Sequence, residues 1–153
     1  MPTAAEPVAE SIAVLLQRSF GRQGALMAWQ ARLQNLRQGA CEIVLPMSSA
    51  VTQQHGFFHG GVIGAVADSV GGYAANTLLL PKSECLTAEY KINIVAPGVG
   101  EALIARGQVL KLGRTLVVTR ADVFAVRDGS EKLCAAMQQT LFVIPADNPS
   151  RTS

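Results

Sequence analysis

From Gly60 to Leu80 the chain reads GGVIGAVADSVGGYAANTLLL, apolar on every helical face except for one carboxylate, Asp68, and a few small polar groups. A helix that is apolar all round has to be buried, so the rest of the chain must supply walls for it. It opens with His59-Gly60-Gly61, and glycines at a loop-to-helix junction let a backbone or a ligand approach the N–H groups that a helix start leaves unpaired. Such a terminus attracts negative charge. A carboxylate in the middle of a buried helix carries a desolvation cost unless something compensates it. Asp68 is therefore a candidate functional residue. The competing reading is a capped or salt-bridged structural carboxylate facing an arginine from a neighbouring strand.

Twenty-one mostly apolar residues also have the length of a membrane span. Against that reading stand the central Asp68, five glycines between Gly60 and Gly72, and the absence of a flanking basic cluster. No membrane partner is expected. The 153 residues fit one domain, 1–153, with enough chain to bury a real core. Hydrophobic residues make up 49% and charged ones only 16%, a surplus that points to surface covered by another subunit. The formal charge of +2 is spread along the strands rather than clustered, which argues against nucleic acid as a partner. Cys41, Cys85 and Cys134 are odd in number and widely spaced, and read as reduced, buried thiols of a cytoplasmic protein.

The first twenty residues lack a basic n-region and carry Glu6 and Glu10, so no signal peptide is expected. Val8, Ile12, Leu15 and Leu16 recur at helical spacing opposite Glu10, Gln17 and Arg18, and predict an N-terminal surface helix within residues 1–22. From Ala25 the period changes: Met27, Trp29, Ala31 and Leu33 alternate with polar or small neighbours as in a half-buried strand. A turn at Gln38-Gly39 leads to a returning strand through Cys41, Ile43, Leu45 and Met47, with Pro46 marking an edge or an end. After Leu80-Pro81-Lys82 stops the central helix, Ala88, Tyr90, Ile92 and Ile94 alternate with Glu89, Lys91 and Asn93. Strands over 101–112, 115–127 and 132–144 follow, joined at Leu112-Gly113-Arg114 and Asp128-Gly129-Ser130. Hairpins on short turns mean an antiparallel sheet. The polar tail, 145–153, is expected to fray.

A curved antiparallel sheet of five or six strands can wrap an apolar helix, and that α+β arrangement is the hotdog fold. The segment QQHGFFHGGVIGAVADSVGGYAA resembles the signature of the PaaI-like branch of the hotdog acyl-CoA thioesterases: a glycine, two residues, His-Gly-Gly, then an acidic residue nine positions after the histidine. Gly56, His59, Gly60, Gly61 and Asp68 fit it in place. The downstream run from Thr87 to Phe124, with its Pro-x-x-Gly turn and Gly-Arg-Thr hairpin, is similar to the strands that follow in that family, and the resemblance spans roughly residues 40 to 144.

The resemblance implies hydrolysis of an acyl-CoA thioester without metal or redox cofactor. It implies Asp68 as general base or nucleophile and the Gly60 backbone N–H as the donor that polarises the carbonyl. Thr87 falls where relatives carry a Ser or Thr that holds the water, although alternation puts it on the Glu89/Lys91 side, away from Tyr90 and Ile92. Gln53 occupies a place where many relatives have Asn. The chemistry agrees: thioester hydrolysis places negative charge on the carbonyl oxygen, which helix-start N–H groups stabilise, and it needs an activated oxygen. His59 is expected to position the helix start, with a catalytic part as the alternative. His55 and His59 share the spacing of a zinc helix but lie in a glycine-containing loop with no third ligand nearby. Gly61, Phe57 and Phe58 are candidates for lining the substrate site, and Gly113 with Arg114 for holding it; Arg114, Arg120 and Arg127 are candidates for the CoA phosphates. Ser69 lacks a Gly-x-Ser-x-Gly elbow.

Two other functions remain open at this stage: a hotdog hydratase or dehydratase, for which only His59 could serve as the histidine, and a non-catalytic acyl-CoA binding or regulatory module. Nine residues of helix are about 13 Å long, too far for Gly60 and Asp68 of one chain to act on one carbonyl. A homodimer or homotetramer with sites at the protomer interface is therefore expected.

Overall fold

The computed structural model describes residues 5–146. In chain order they form α1 (Glu10–Phe20), α2 (Gly24–Ala28), β1 (Arg32–Arg37), β2 (Ala40–Pro46), a 3-10 turn (Ser49–Val51), α3 (Gly60–Leu79), β3 (Ser83–Ile94), β4 (Ala102–Leu112), β5 (Leu116–Arg127) and β6 (Ser130–Pro145). The six strands make one antiparallel sheet in the order β1-β2-β4-β5-β6-β3. The sheet wraps α3, which touches all six strands. This is the α+β hotdog arrangement expected for a helix that must be enclosed.

Val62, Ile63, Val66 and Val70 on α3 are buried against Ile43, Leu45, Leu103, Val123 and Met137 from the sheet. Each such side chain contributes about 1.5–3 kcal/mol relative to exposure. Leu16 and Phe20 of α1 close one side of the core, and Phe20 stacks edge-on against Tyr73 of α3 with ring centroids 5.3 Å apart. The helix sits lowest over β4. A Cβ at Gly107 would stand 2.4 Å from the Val70 carbonyl oxygen and 3.1 Å from the Gly71 nitrogen, so backbone passes backbone with no side chain between. Gly107→Ala is expected to push α3 off the sheet, at a cost of about 1–3 kcal/mol. A thermal melt checks this, and an unchanged Tm would mean that the backbone yields there without loss.

Burial of α3 is not complete. Gly61, Ala65, Asp68, Ser69, Gly72 and Asn76 form a stripe that stays partly exposed among the described residues. Among the described residues no helix is long and apolar enough to cross a membrane. Among the described residues β3 pairs only with β6, and its other edge has no strand beside it. Leu86, Tyr90 and Ile94 along it are 59%, 45% and 48% exposed, and Leu86, Phe142 and Leu116 form an apolar row across three strands.

Several boundaries differ from the sequence expectation. The strand expected from Ala25 is instead a short helix, α2, followed by a turn through Gln30 at φ +60° before β1 starts at Arg32. Ala25, Leu26, Met27 and Ala28 are strong helix formers, and in the helix it is Leu26 that becomes fully buried while Met27 packs on the core only in part. α1 begins at Glu10, leaving Val8 ahead of it. Pro46 ends β2, which lies inside the sheet between β1 and β4 rather than at its edge. The β5–β6 turn is two residues, Asp128 and Gly129, at φ +51° and +76°, the type I′ geometry that matches strand twist. β6 takes in Pro145, so the tail assigned from 145 starts later, and residues 147–153 lie outside the described residues.

Candidate active site

The start of α3 is built by its preceding loop. Gly56, at φ +80°, turns the chain so that the Gln53 N–H donates to the Phe57 carbonyl at 2.9 Å, while the Gln53 side-chain carbonyl accepts from the His55 and Phe57 N–H groups. The carbonyl end of Gln53 thus serves the loop itself. His59 is the N-cap: its Nδ1 accepts the Gly61 N–H at 2.8 Å, and its carbonyl accepts the Val62 N–H at 2.9 Å and the Ile63 N–H at 3.0 Å. Among the described residues no acceptor meets the Gly60 N–H. His59 therefore positions the helix start, as expected of it, and leaves one amide to be used. Gly60, Gln53, Phe57 and Phe58 line a cavity of about 410 Å³ together with Ile94 and Pro97. Phe58 is also a core residue, while Gly61 is exposed beside this cavity and not in its wall.

Asp68 lies two turns further on and is partly exposed. Its Oδ1 accepts the Thr87 hydroxyl at 2.7 Å and an N–H of the Gln139 side chain. Gln139 Nε2 also lies 3.2 Å from the Asp68 carbonyl oxygen and 3.3 Å from Thr87 Oγ1, and Gln139 Oε1 accepts the Thr119 hydroxyl at 2.8 Å. Among the described residues no donor meets Oδ2, and no ion pair includes Asp68. The arginine-paired structural carboxylate is not what the fold contains. Neutral donors hold one oxygen and leave the other open to a cavity of about 280 Å³, whose wall includes Ser19, Ser69, Tyr73, Cys85 and Thr87. Burial, with the charges of Glu84 and Asp68 adding to it, pushes the Cys85 thiol up to about 12, so it stays protonated and is no nucleophile.

Simple alternation placed Thr87 on the wrong face. Thr87 pairs with Leu141 and Glu89 with Thr140, so Ala88 is an extra residue, a bulge that reverses the facing of everything before it. Thr87 and Tyr90 consequently both face α3, and Thr87 reaches Asp68. Gln139, Thr119 and Gly71 were missed altogether. The available signal was alternation in the last two strands: Gln139 falls between Met137 and Leu141, and Thr119 between Val117 and Ala121, both at core-facing positions.

Other expected residues lie apart. The Gly60 cavity and the Asp68 cavity share no lining residue. Gly113 and Arg114 form the β4–β5 turn, where the Gly113 N–H donates to the Leu116 carbonyl at 2.9 Å. That tip stands at the Thr87 end of the sheet, since Thr87 pairs with Leu141 and Leu141 with Val117, but it lines neither cavity. Arg120 is bound to Asp122 at 3.1 Å, and Arg127 approaches Asp128 at 3.9 Å. A larger cavity, about 550 Å³, lies away from Asp68 over Glu42, Arg106 and Asp122. Its charges satisfy one another: burial pushes the Glu42 carboxyl up, but hydrogen bonds from Arg106, Gln34 and Asn35 outweigh it and hold the group below its ordinary value. Among the described residues no group of three His, Cys, Asp or Glu side chains could hold a metal ion.

A central helix enclosed by a six-stranded antiparallel sheet, carrying an open amide at its start and an anchored carboxylate further along, makes this a hotdog-fold protein. Residues 55–132 match the thioesterase superfamily, and the chain belongs to that family. A Saccharolobus solfataricus protein that carries an esterase name is 30% identical over 115 residues, covering 75% of this chain and 74% of that relative. The crystal structure of a thioesterase family protein from Silicibacter pomeroyi is similar with a TM-score of 0.85 and 40% identity, covering 88% of this chain and 99% of the other. The PaaI protein of the E. coli phenylacetic acid degradation operon shares the fold, with a TM-score of 0.78 at 17% identity, covering 90% of this chain and 96% of the other.

Proposed function

We propose that the protein hydrolyses acyl-CoA thioesters to the free acid and CoA. The observation that carries this reading is the Asp68 carboxylate, held at Oδ1 by Thr87 and Gln139 with Oδ2 left open, on the same helix as an amide at Gly60 that has no acceptor among the described residues. Acting as general base, Oδ2 takes a proton from water while the water oxygen attacks the carbonyl carbon. The oxygen of the tetrahedral intermediate is stabilised by the Gly60 N–H. Collapse breaks the C–S bond, and the departing thiolate recovers the proton as CoA thiol. Acting as nucleophile, Oδ2 expels the thiolate directly, and water then hydrolyses the anhydride. Water alone balances either route, so no cofactor is required. The names of the esterase and thioesterase relatives support the reaction class.

The two groups belong to different cavities, so the working site joins Gly60 of one protomer to Asp68 of its partner in a homodimer or homotetramer acting in the cytoplasm. The long open edge of β3 and the uncovered stripe of α3 are the surfaces a second copy can cover. Gly113 and Arg114 then stand at the rim on the Thr87 side, where an exposed arginine suits a CoA phosphate.

A panel of acyl-CoAs, from acetyl through aromatic to long-chain, with thiol release as the signal, tests the reading. Turnover of at least one class is expected. Tight binding across the panel with no thiol release would replace hydrolysis with an acyl-CoA binding role.

A further inference from the structure

We propose that Gln139 is a positioning residue for the Asp68 carboxylate and that Thr119 locks its amide the right way round; this rests on the hydrolytic reading of Asp68. Gln139 comes from β6 and is 1% exposed, and Thr119 from β5 is fully buried. A primary amide can adopt two orientations that differ only in which end faces which neighbour. In the one present, Nε2 faces three acceptors, namely Asp68 Oδ1, the Asp68 carbonyl oxygen and Thr87 Oγ1. The reverse orientation would set Oε1 against the two Asp68 oxygens, with no proton between them. Thr119 removes that alternative, because its buried hydroxyl proton needs an acceptor and finds it in Oε1 at 2.8 Å.

Gly71 makes the room. A Cβ there would stand 2.1 Å from Gln139 Oε1 and 2.7 Å from Thr119 Oγ1, so a side chain at this position would expel the amide. The three residues form one device, built from β5, β6 and α3, that aims a neutral donor at Asp68. Its neutrality matters: an arginine in this place would hold the carboxylate equally well but would lower its basicity by direct charge pairing. An amide fixes Oδ1 and leaves Oδ2 as the reactive atom.

The test compares Gln139→Met, Thr119→Val and Thr119→Ser with wild type in steady-state hydrolysis. Loss of the donor lets the carboxylate swing, so Gln139→Met is expected to lower kcat by about tenfold or more with KM nearly unchanged, the mark of lost aim rather than lost binding. Thr119→Val is expected to lower kcat in the same way, and Thr119→Ser, which keeps the hydroxyl, to restore most of it. Wild-type kcat in Gln139→Met would overturn the proposal, as would a Thr119→Ser variant as slow as Thr119→Val. Should Gln139→Met fail to fold, the Thr119 pair alone decides. Asp68→Asn, measured alongside, separates the two levels: if it turns over normally the hydrolytic reading fails, whereas if it is inactive and Gln139→Met is not, only the positioning role fails.

Discussion

Asp68→Asn is expected to lower kcat by at least about a hundredfold while leaving the fold and CoA binding intact. The prediction is sharp because the carboxylate uses its two oxygens differently. An asparagine can keep its carbonyl oxygen at the Oδ1 position, where Thr87 and Gln139 still donate to it, so the hydrogen bonds that tie β3 and β6 to α3 survive. Only the open oxygen is replaced, and the NH2 that takes its place can neither accept a proton nor attack a carbonyl. Steady-state kinetics with a circular dichroism spectrum and a CoA binding isotherm check the three parts separately. Near-normal turnover would assign Asp68 to packing.

Two inactive variants, Asp68→Asn and Gly60→Pro, are expected to restore each other's activity when unfolded together and refolded. Proline suits position 60 unusually well. It is the first helical residue, the preceding His59 has the extended backbone that a following proline favours, and the amide removed has no acceptor among the described residues. An added Cβ meets only the tip of Ile94, at 3.1 Å, which has to give by a few tenths of an ångström. In a mixed dimer the intact Gly60 of the first variant faces the intact Asp68 of the second, and the other site carries both lesions. With random pairing half the dimers are mixed and half their sites are whole, so recovery is expected to approach roughly a quarter of wild type. A site contained in one chain predicts no recovery at any ratio. Absence of activity, with mixed dimers confirmed by native mass spectrometry, would rule out either the shared site or Gly60 as the donor.

The fold was legible in the sequence wherever hydrophobic period and turn chemistry agreed. The all-apolar run after His-Gly-Gly required a wrapped helix, and Asp128-Gly129 required a hairpin, and both are present. The reading went astray where period stood alone. Met27, Trp29, Ala31 and Leu33 alternate like a strand, yet only Leu33 lies in one: Met27 belongs to a five-residue helix, and Trp29 and Ala31 to the connection after it. Within the site, Asp68, Gly60 and His59 could be found because a carboxylate, a glycine pair and a cap each have a local cost or a local geometry. Thr87 was singled out by resemblance but faced wrongly by alternation, since one inserted residue, Ala88, reverses a strand and leaves no mark in composition. Gln139 escaped because its partner is 71 residues away, and a single amide in an apolar strand acquires meaning only when its neighbour is known.

The sheet order has a consequence for how the molecule comes into being. β3 follows α3 directly in the chain, but its ladder partner is β6, so residues 83–94 have nothing to pair with until residues 135–145 exist. A ribosome delivers those residues after every other strand of the described sheet. Until then the nascent chain can form the β1–β2 and β4–β5 hairpins, which are local, but not the wall beside Asp68, and one side of an apolar helix remains open to solvent. Closing that ladder joins segments about fifty residues apart, the kind of late, nonlocal step that slows folding. The same step brings Gln139 to Asp68. Enclosure of the core and alignment of the carboxylate therefore complete together, and a chain whose helix is still unwalled also lacks an aimed base.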